Sequence, residues 1–592
     1  MLAEGESWKR AGWERWLLSE NAIAFFLAVV VGAGTGLGIV VFRHLITIFQ
    51  SFFFHDLLGQ LEAWGLGKAA ATLPTLLGGA LVGALMMMVE GFRRQRPPEP
   101  AGGMGAGGAT VMQVPGGVAG IIEATALAGG RLPYGKAPWR ALAAALSIGS
   151  GASVGPEDPS VQIGANLGSA LGQKLRFAED HVRLLVAAGA ASGIAAAFNA
   201  PIAGVFFALE VILGDFTPDA FGLVVLAAVV SSVVAQAALG AQPAFAVPPY
   251  ELRTPLELPL YLLLGVLAAV VAVAYTRAVH TLEYRGAQSR LPRPLRTALG
   301  GLMVGLSAGL FFPQLFGVGY ETIERVLQGE HFPVALLGGL LVFKILLTAL
   351  SLGMGFVGGV FAPSLFLGAM LGGLYGEVLS RVLPGMVAVP AAYAMVGMAA
   401  VLAGTIRAPL TATLILFEMT RDYRIILPLL AAVGVSVLIG ERLLPGSIYL
   451  LSLRRRGINL VRGRDIDVMQ GIAVEEAMSK EFIAFSRHTP LSEARTVLDR
   501  GHHHAGIVLD ETGELFGIVS INDIERTLAG AGASSPVNGT SGAPVDQDAG
   551  LSTPQTVGEI CTRDVITVFP DEPMGVALRR MAGRDVGRLP VV

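Results

Sequence analysis

Long runs without a charged side chain punctuate the first 450 residues. Asn21 to Phe42 has none, nor do Ala220 to Tyr250, Leu258 to Thr276, Ile345 to Gly376, Met386 to Ile406 and Ile425 to Gly440. Each is near or above the roughly 17–25 residues that cross a bilayer as a helix. Lipid offers no partner to a backbone N–H or C=O, so such runs must satisfy themselves as helices. The composition agrees: 53% of the 592 residues are hydrophobic and only 15% charged, against about 25% in soluble domains. The 77 glycines and 33 prolines predict close helix packing and broken helices within the membrane. One cysteine, Cys561, excludes an intrachain disulfide framework, and a net charge of −3 argues against nucleic acid as a partner.

The flanks differ in kind. Residues 1–20 place Glu4, Glu6, Lys9, Arg10, Glu14 and Arg15 among Trp8, Trp13 and Trp16, which reads as an amphipathic interfacial helix on the cytoplasmic side rather than a cleaved leader. After Arg454-Arg455-Arg456, charged residues alternate with short Val/Ile runs, as in a soluble α/β module. Basic residues beside a span favour the cytoplasm, so the tail is expected there. Arg93, Arg94 and Arg96 form a further basic loop.

The membrane part repeats itself. Gly155 to Gly168 (GPEDPSVQIGANLG) matches Gly359 to Gly372 (GVFAPSLFLGAMLG), and Phe198 to Glu210 (FNAPIAGVFFALE) matches Ile406 to Glu418 (IRAPLTATLILFE). The offset from Pro159 to Pro363 is 204 residues and that from Glu210 to Glu418 is 208, so the register holds. Two halves, about 21–250 and 251–456, read as inverted repeats, which commonly set a substrate site at their interface near midplane.

Both repeats place a proline just before an apolar stretch, Pro159 ahead of Ser160 and Pro363 after Gly359-Val360-Phe361-Ala362. Proline suits a helix's first turn, and the free N–H groups there attract anions. Two such ends aimed at one point would bind an anion through partial charges, weakly enough to release it. Glu157, an ionisable side chain at one of these starts, is a functional candidate by default; its carboxylate would itself occupy the site until protonated. The plain alternative is a carboxylate complementing the helix end. The recurrence of Glu210 as Glu418 suits a structural role.

Residues 20–456 resemble the CLC family of chloride channels and proton/chloride exchangers. Gly155 to Pro159 is similar to the family's G-R-E-G-P motif, which assigns Glu157 as the gate. Val360, Phe361 and Pro363 resemble its G-x-F-x-P motif, whose amides bind the anion, and Tyr449 matches the tyrosine whose hydroxyl reaches the central ion. Val118 to Glu123 matches the G-S-G-I-P-E motif, with Ala119 where the family has an anion-coordinating Ser, Gly120 conserved in type, and Ile122 where it has Pro. Pro156 and Asp158 replace the Arg and Gly around the gate, giving it a second carboxylate neighbour. At the position of the exchangers' inner proton-accepting Glu stands Val211, which is not titratable and is typical of the family's channels.

In the tail, Gly517 to Ile524 runs as a strand into S-x-x-D and resembles a CBS module, with Ser520 and Asp523 at its nucleotide-contacting positions. A second copy begins at Val557, with Ile566 in its first strand, Met574 to Met581 as helix and Leu589 to Val592 as the next strand; its last strand and helix are absent from the sequence, so the copy is partial. Ala529 to Gln555, rich in Gly, Ser and Pro, reads as a flexible linker. His502-His503-His504 reads as a polar lead-in to the strand Gly506 to Leu509, not as a metal site, because no Cys or spaced His accompanies it.

The expected molecule is therefore an all-α polytopic membrane protein of two inverted-topology repeats (21–456) with a cytoplasmic α/β tail: CBS module 1 at 468–528, a linker at 529–556 and a partial module 2 at 557–592. The expected function is gated conduction of chloride and other small anions, with no catalytic residues, no required cofactor, and an adenine nucleotide as the tail's candidate ligand. The resemblance implies a homodimer with one pore per subunit, embedded in the lipid of the plasma (inner) membrane. A proton-coupled chloride exchanger is the alternative, and a nucleotide-regulated transporter of other anions a third reading. An enzyme is disfavoured, since the sequence has no His-Glu-x-x-His and no G-x-S-x-G flanking a strand.

Overall fold

The computed structural model describes residues 20–63, 70–91, 117–241, 245, 257–420, 424–456, 458, 460, 472–501, 503–532, 555–563, 565–572, 574–584 and 588–592. The expected interfacial helix before Glu20, the Arg93–Arg96 loop, His502 and residues 533–554 of the expected linker lie outside them. The chain forms two compact units, residues 1–464 and 465–592.

The first unit is helical. Its helices are α1 Glu20–Gln50, which continues through a π turn and a short helix to Ala63; α2 Thr72–Gly91; α3 Val118–Leu127; α4 Ala137–Gly149; α5 Glu157–Lys174; α6 Glu179–Phe198; α7 Pro201–Phe207; and α8 Pro218–Leu239. The second half supplies α9 Leu258–Ala287; α10 Arg293–Leu310; α11 Tyr320–Leu327; α12 Val334–Met354; α13 Phe361–Val382; α14 Pro390–Ile406; α15 Pro409–Thr420; and α16 Ile426–Leu443, before α17 Ile448–Arg454. Among the described residues eight helices are long and apolar enough to span a bilayer.

Proline and glycine set the boundaries. Pro201, Pro218, Pro390 and Pro409 open α7, α8, α14 and α15, where the missing N–H costs nothing. The uncharged run Ile345 to Gly376, long enough in sequence for one helix, is two: α12 stops at Gly355, whose φ of +104° a residue with a side chain adopts only under strain. The loop Gly355–Val360 then turns the chain into α13. Ala220 to Tyr250 is likewise cut, at Gly240. Helix α5 begins at Glu157, with Pro159 in its first turn.

The repeat is visible in packing. A methyl group on Gly164 of α5 would land on the carbonyl oxygen of Gly189 in α6, and one on Gly368 of α13 on that of Gly397 in α14. Both repeats thus cross the helix that opens at the shared motif and the helix after it through a glycine pair. The C-caps of α6 and α14, Asn199 and Arg407, both take left-handed backbone, φ +55° and +57°.

The tail unit holds a three-stranded sheet in the order β1-β2-β3. Strand β1 (Ala484–Ser486) pairs parallel with β2 (Ala505–Leu509), which pairs antiparallel with β3 (Leu515–Ser520). Helices α18 Val474–Ala477, α19 Leu491–Arg500, α20 Ile521–Gly532, α21 Val557–Ile560 and α22 Met574–Arg584 accompany it. Phe485, Leu498, Val508, Val519 and Ile524 form its core together with Val557 and Cys561, whereas Val474 packs with Val568 and Ala577. The two modules therefore interleave: the start of each copy lies in the core of the other, a feature that boundaries at 468–528 and 557–592 do not convey. Arg580 grips Glu572 bidentately at 2.7 and 2.9 Å and holds that carboxyl below the usual range.

Candidate functional site

The two repeat motifs meet backbone to backbone. The Gly155 N–H donates to the Gly359 carbonyl at 2.9 Å, and the Gly359 N–H to the Gly155 carbonyl at 2.8 Å. An antiparallel bridge between two equivalent residues is a local two-fold axis, and it brings the starts of α5 and α13 to one point. Pro159 and Pro363 each lie at the third position of their helix, where a proline ring removes no intrahelical hydrogen bond.

Glu157 sits at that point, 1% exposed. Its Oε1 accepts the Phe361 N–H, the first of α13, at 2.5 Å. Its Oε2 is buried and has no hydrogen-bond partner among the described residues. A methyl group on either Gly155 or Gly359 would run into this carboxylate, so both positions need glycine for space. The Tyr275 hydroxyl donates to the Val360 carbonyl at 3.2 Å, and the Phe361 ring lies 5.3 Å from that of Phe198. The start of α13, with its positive helix end, is thus occupied by an internal carboxyl group.

Asp158 takes a second helix start. Its Oδ1 accepts the Val118 N–H, the first of α3, at 2.6 Å, and its Oδ2 accepts from Gln162 Nε2 at 2.9 Å. It lines a cavity of about 110 Å³ with Ala119, Val360, His280 and Tyr449 among its walls. Gly120 is not on that wall; its N–H turns back to the Gly117 carbonyl at 3.1 Å. The sequence marks Asp158 as a neighbour of Glu157, but not its hold on Val118, 40 residues away. The only local signal is the i, i+4 spacing of Asp158 and Gln162.

Val211 lies on the π-helical turn Ala208–Leu213 that continues α7, partly buried on the wall of a cavity of about 950 Å³. The adjacent Glu210 lines the same cavity and also caps the other repeat. It accepts from Leu410 N (3.3 Å), Thr411 N (2.9 Å) and Thr411 Oγ1 (2.8 Å) at the start of α15. Glu418 returns the contact, accepting from Ile202 N and Ala203 N at 2.9 and 2.7 Å at the start of α7. Each half therefore caps a helix of the other.

In the tail, Ser520 and Asp523 bind each other. The Ser520 hydroxyl donates to Asp523 Oδ2 at 2.6 Å, the Ser520 N–H reaches the same oxygen, and the Asp523 N–H reaches Ser520 Oγ, both at 3.3 Å. This is a reciprocal capping box for α20.

Comparison with known proteins gives two matches to family descriptions: "voltage gated chloride channel" over residues 102–441, and "CBS domain" over 474–530 and 557–592. Chloride channel protein CLC-f of Arabidopsis thaliana is 36% identical over 507 residues, covering 76% of this chain and 64% of that protein, so the chain spans less than two thirds of this relative's length. The voltage-gated ClC-type chloride channel ClcB of Escherichia coli is 30% identical over 428 residues, covering 72% of this chain and 97% of that one. Among solved structures, a slow cyanobacterial Cl⁻/H⁺ antiporter superposes with a TM-score of 0.64 at 24% identity, covering 74% of this chain and 98% of the other, a likeness of fold.

Proposed function

The chain belongs to the voltage gated chloride channel family, and on that premise we propose that it is a gated chloride channel, acting as a homodimer with one pore per subunit in the plasma (inner) membrane, its tail in the cytoplasm. One observation carries this reading: the Glu157 carboxylate holds the Phe361 N–H at 2.5 Å with its second oxygen unpartnered. A carboxylate stands where a permeating anion would have to bind. Protonation removes the charge that holds it on the helix end, the side chain leaves, and chloride takes the N–H groups of Val360 and Phe361 with the Tyr449 hydroxyl beyond. Ala119 supplies no hydroxyl to that path, and Gly120, whose N–H is already used, is left out of the ion-binding set. The proposed role is transport throughout, with no catalytic step and no cofactor required.

The channel is preferred over the exchanger because Val211 offers no proton to exchange. The exchanger reading draws on the 950 Å³ cavity beside Val211, wide enough for water to carry protons where the side chain does not, and on the structural neighbour named an antiporter. For the tail we propose an adenine nucleotide as a weak ligand, since contact with Ser520 and Asp523 must first open their capping box. The deciding measurement is the reversal potential of purified protein in bilayers under a chloride gradient, with and without a proton gradient. A channel follows the chloride Nernst potential in both. Chloride-driven uphill proton movement at a fixed ratio would assign the exchanger.

A further inference from the structure

We infer that Asp158 is a second gate, occupying the anion seat at the start of α3 as Glu157 occupies the one at the start of α13. The inference rests on the transport reading above. The first N–H groups of any helix lack intrahelical partners. At α3, whose first residues Val118 and Ala119 line the cavity, the Asp158 carboxylate holds the Val118 N–H at 2.6 Å while Gln162 pins the other oxygen at 2.9 Å. Ala119, next along, has no hydroxyl to offer a passing ion.

An ordinary helix cap comes from the residue just before the helix. Here that residue is Gly117, at φ +89°, and no side chain of its own caps the helix. A methyl group at Gly117 would press on both Asp158 oxygens, at 2.8 and 3.0 Å. The carboxylate arrives instead from α5, directly after Glu157. It opens on the cavity shared by Val360 and Tyr449, the residues proposed to hold chloride. The two consecutive acids therefore diverge to two helix starts: Glu157 to the second repeat, Asp158 to α3 of the first.

Chloride entering this cavity meets a fixed negative charge already in the seat. Charged groups acting on that carboxylate include Arg140 of α4, Glu283 of α9 and the neighbouring Glu157, with His280 of α9 and Tyr449 of α17 on the same cavity wall. Both carboxylates must yield before an anion can pass, so the wild-type site is expected to bind chloride-like ions weakly at rest. Neutralising Asp158 alone should free one seat, and neutralising Glu157 alone the other.

The test is bromide titration calorimetry on the purified full chain at one fixed pH, with wild type, Asp158→Asn, Glu157→Gln and the double variant. Asp158→Asn is expected to bind bromide at least about tenfold tighter than wild type, a modest part of what removing a unit charge a few ångströms away can give. The double variant should bind two bromides per subunit where each single variant binds one. Asp158→Ala, which also lacks the charge and suits the helical backbone of α5, repeats the test should the Asn variant not fold. If Asp158 only caps α3, both Asp158 variants will melt at lower temperature with wild-type bromide affinity and stoichiometry, and the inference is overturned. Should Glu157→Gln tighten binding while the Asp158 variants do not, the second gate fails and the transport reading stands. If none of the variants changes binding and chloride efflux from liposomes is absent, the transport reading itself fails.

Discussion

At the residue scale, the chemistry concentrates in a side chain whose two oxygens have unequal fates. Glu157 Oε1 is held by Phe361 while Oε2 is buried without a partner, and leaving a buried acceptor unsatisfied costs on the order of 1–3 kcal/mol, more when it is charged. Such a group is poised to take a proton. Chloride efflux from liposomes should therefore rise as pH falls, because protonation removes the charge that occupies the site. Glu157→Gln, which mimics the protonated state, should raise efflux at neutral pH and flatten the pH profile; an unchanged profile would remove Glu157 from the gate. Ala119→Ser adds a donor to the cavity of Asp158 and Tyr449, and a hydrogen bond to a charged group contributes about 1.5–3 kcal/mol before reorganisation. Bromide calorimetry should show tighter binding than wild type, and equal affinity would mean that the hydroxyl does not reach the ion.

At the scale of elements, the repeat motifs were legible in sequence because the physics that fixes them is local. A proline in a helix's first turn and a glycine where no side chain fits are readable without coordinates, and Pro159, Pro363, Gly155 and Gly359 are of this kind. What was not legible depends on contacts across the chain. Uncharged runs reveal hydrophobicity but not where a helix ends: within Ile345 to Gly376 the motif at Pro363 marks the start of the second helix, but nothing marks the stop of the first at Gly355. The exchange of caps between Glu210 and Glu418 bridges 216 residues in one direction and 201 in the other. Removal of one cap, Glu418→Ala, should cost about 0.5–2 kcal/mol, read as a lower melting temperature in detergent, and Glu210→Ala should cost a similar amount, with three donors in place of two. In the tail, Ser520→Ala removes one arm of the capping box and should destabilise that unit by about 1 kcal/mol. Circular dichroism of the melting tail would check it.

At the scale of the whole molecule, each chain contains both helix starts, Tyr449 and both acids, so on the function proposed above one chain suffices for one pore. A tandem dimer joining a wild-type copy to a Glu157→Gln copy should show two superimposed conductances, one pH-sensitive and one not; a single blended conductance would argue for a pore shared between subunits. The pairing of Gly155 with Gly359 has a consequence for synthesis. The two halves of the site are separated by 204 residues, and the ribosome delivers about 5–20 residues per second. For roughly 10–40 seconds the first half sits in the membrane with Gly155 unpaired and no Phe361 to receive Glu157. The site cannot exist until the second half arrives, and by the time it does, the acid that closes it has been waiting in place. On the gate proposed for Glu157 the chain is born shut, and a cell making it is not exposed to a leak from its unfinished copies.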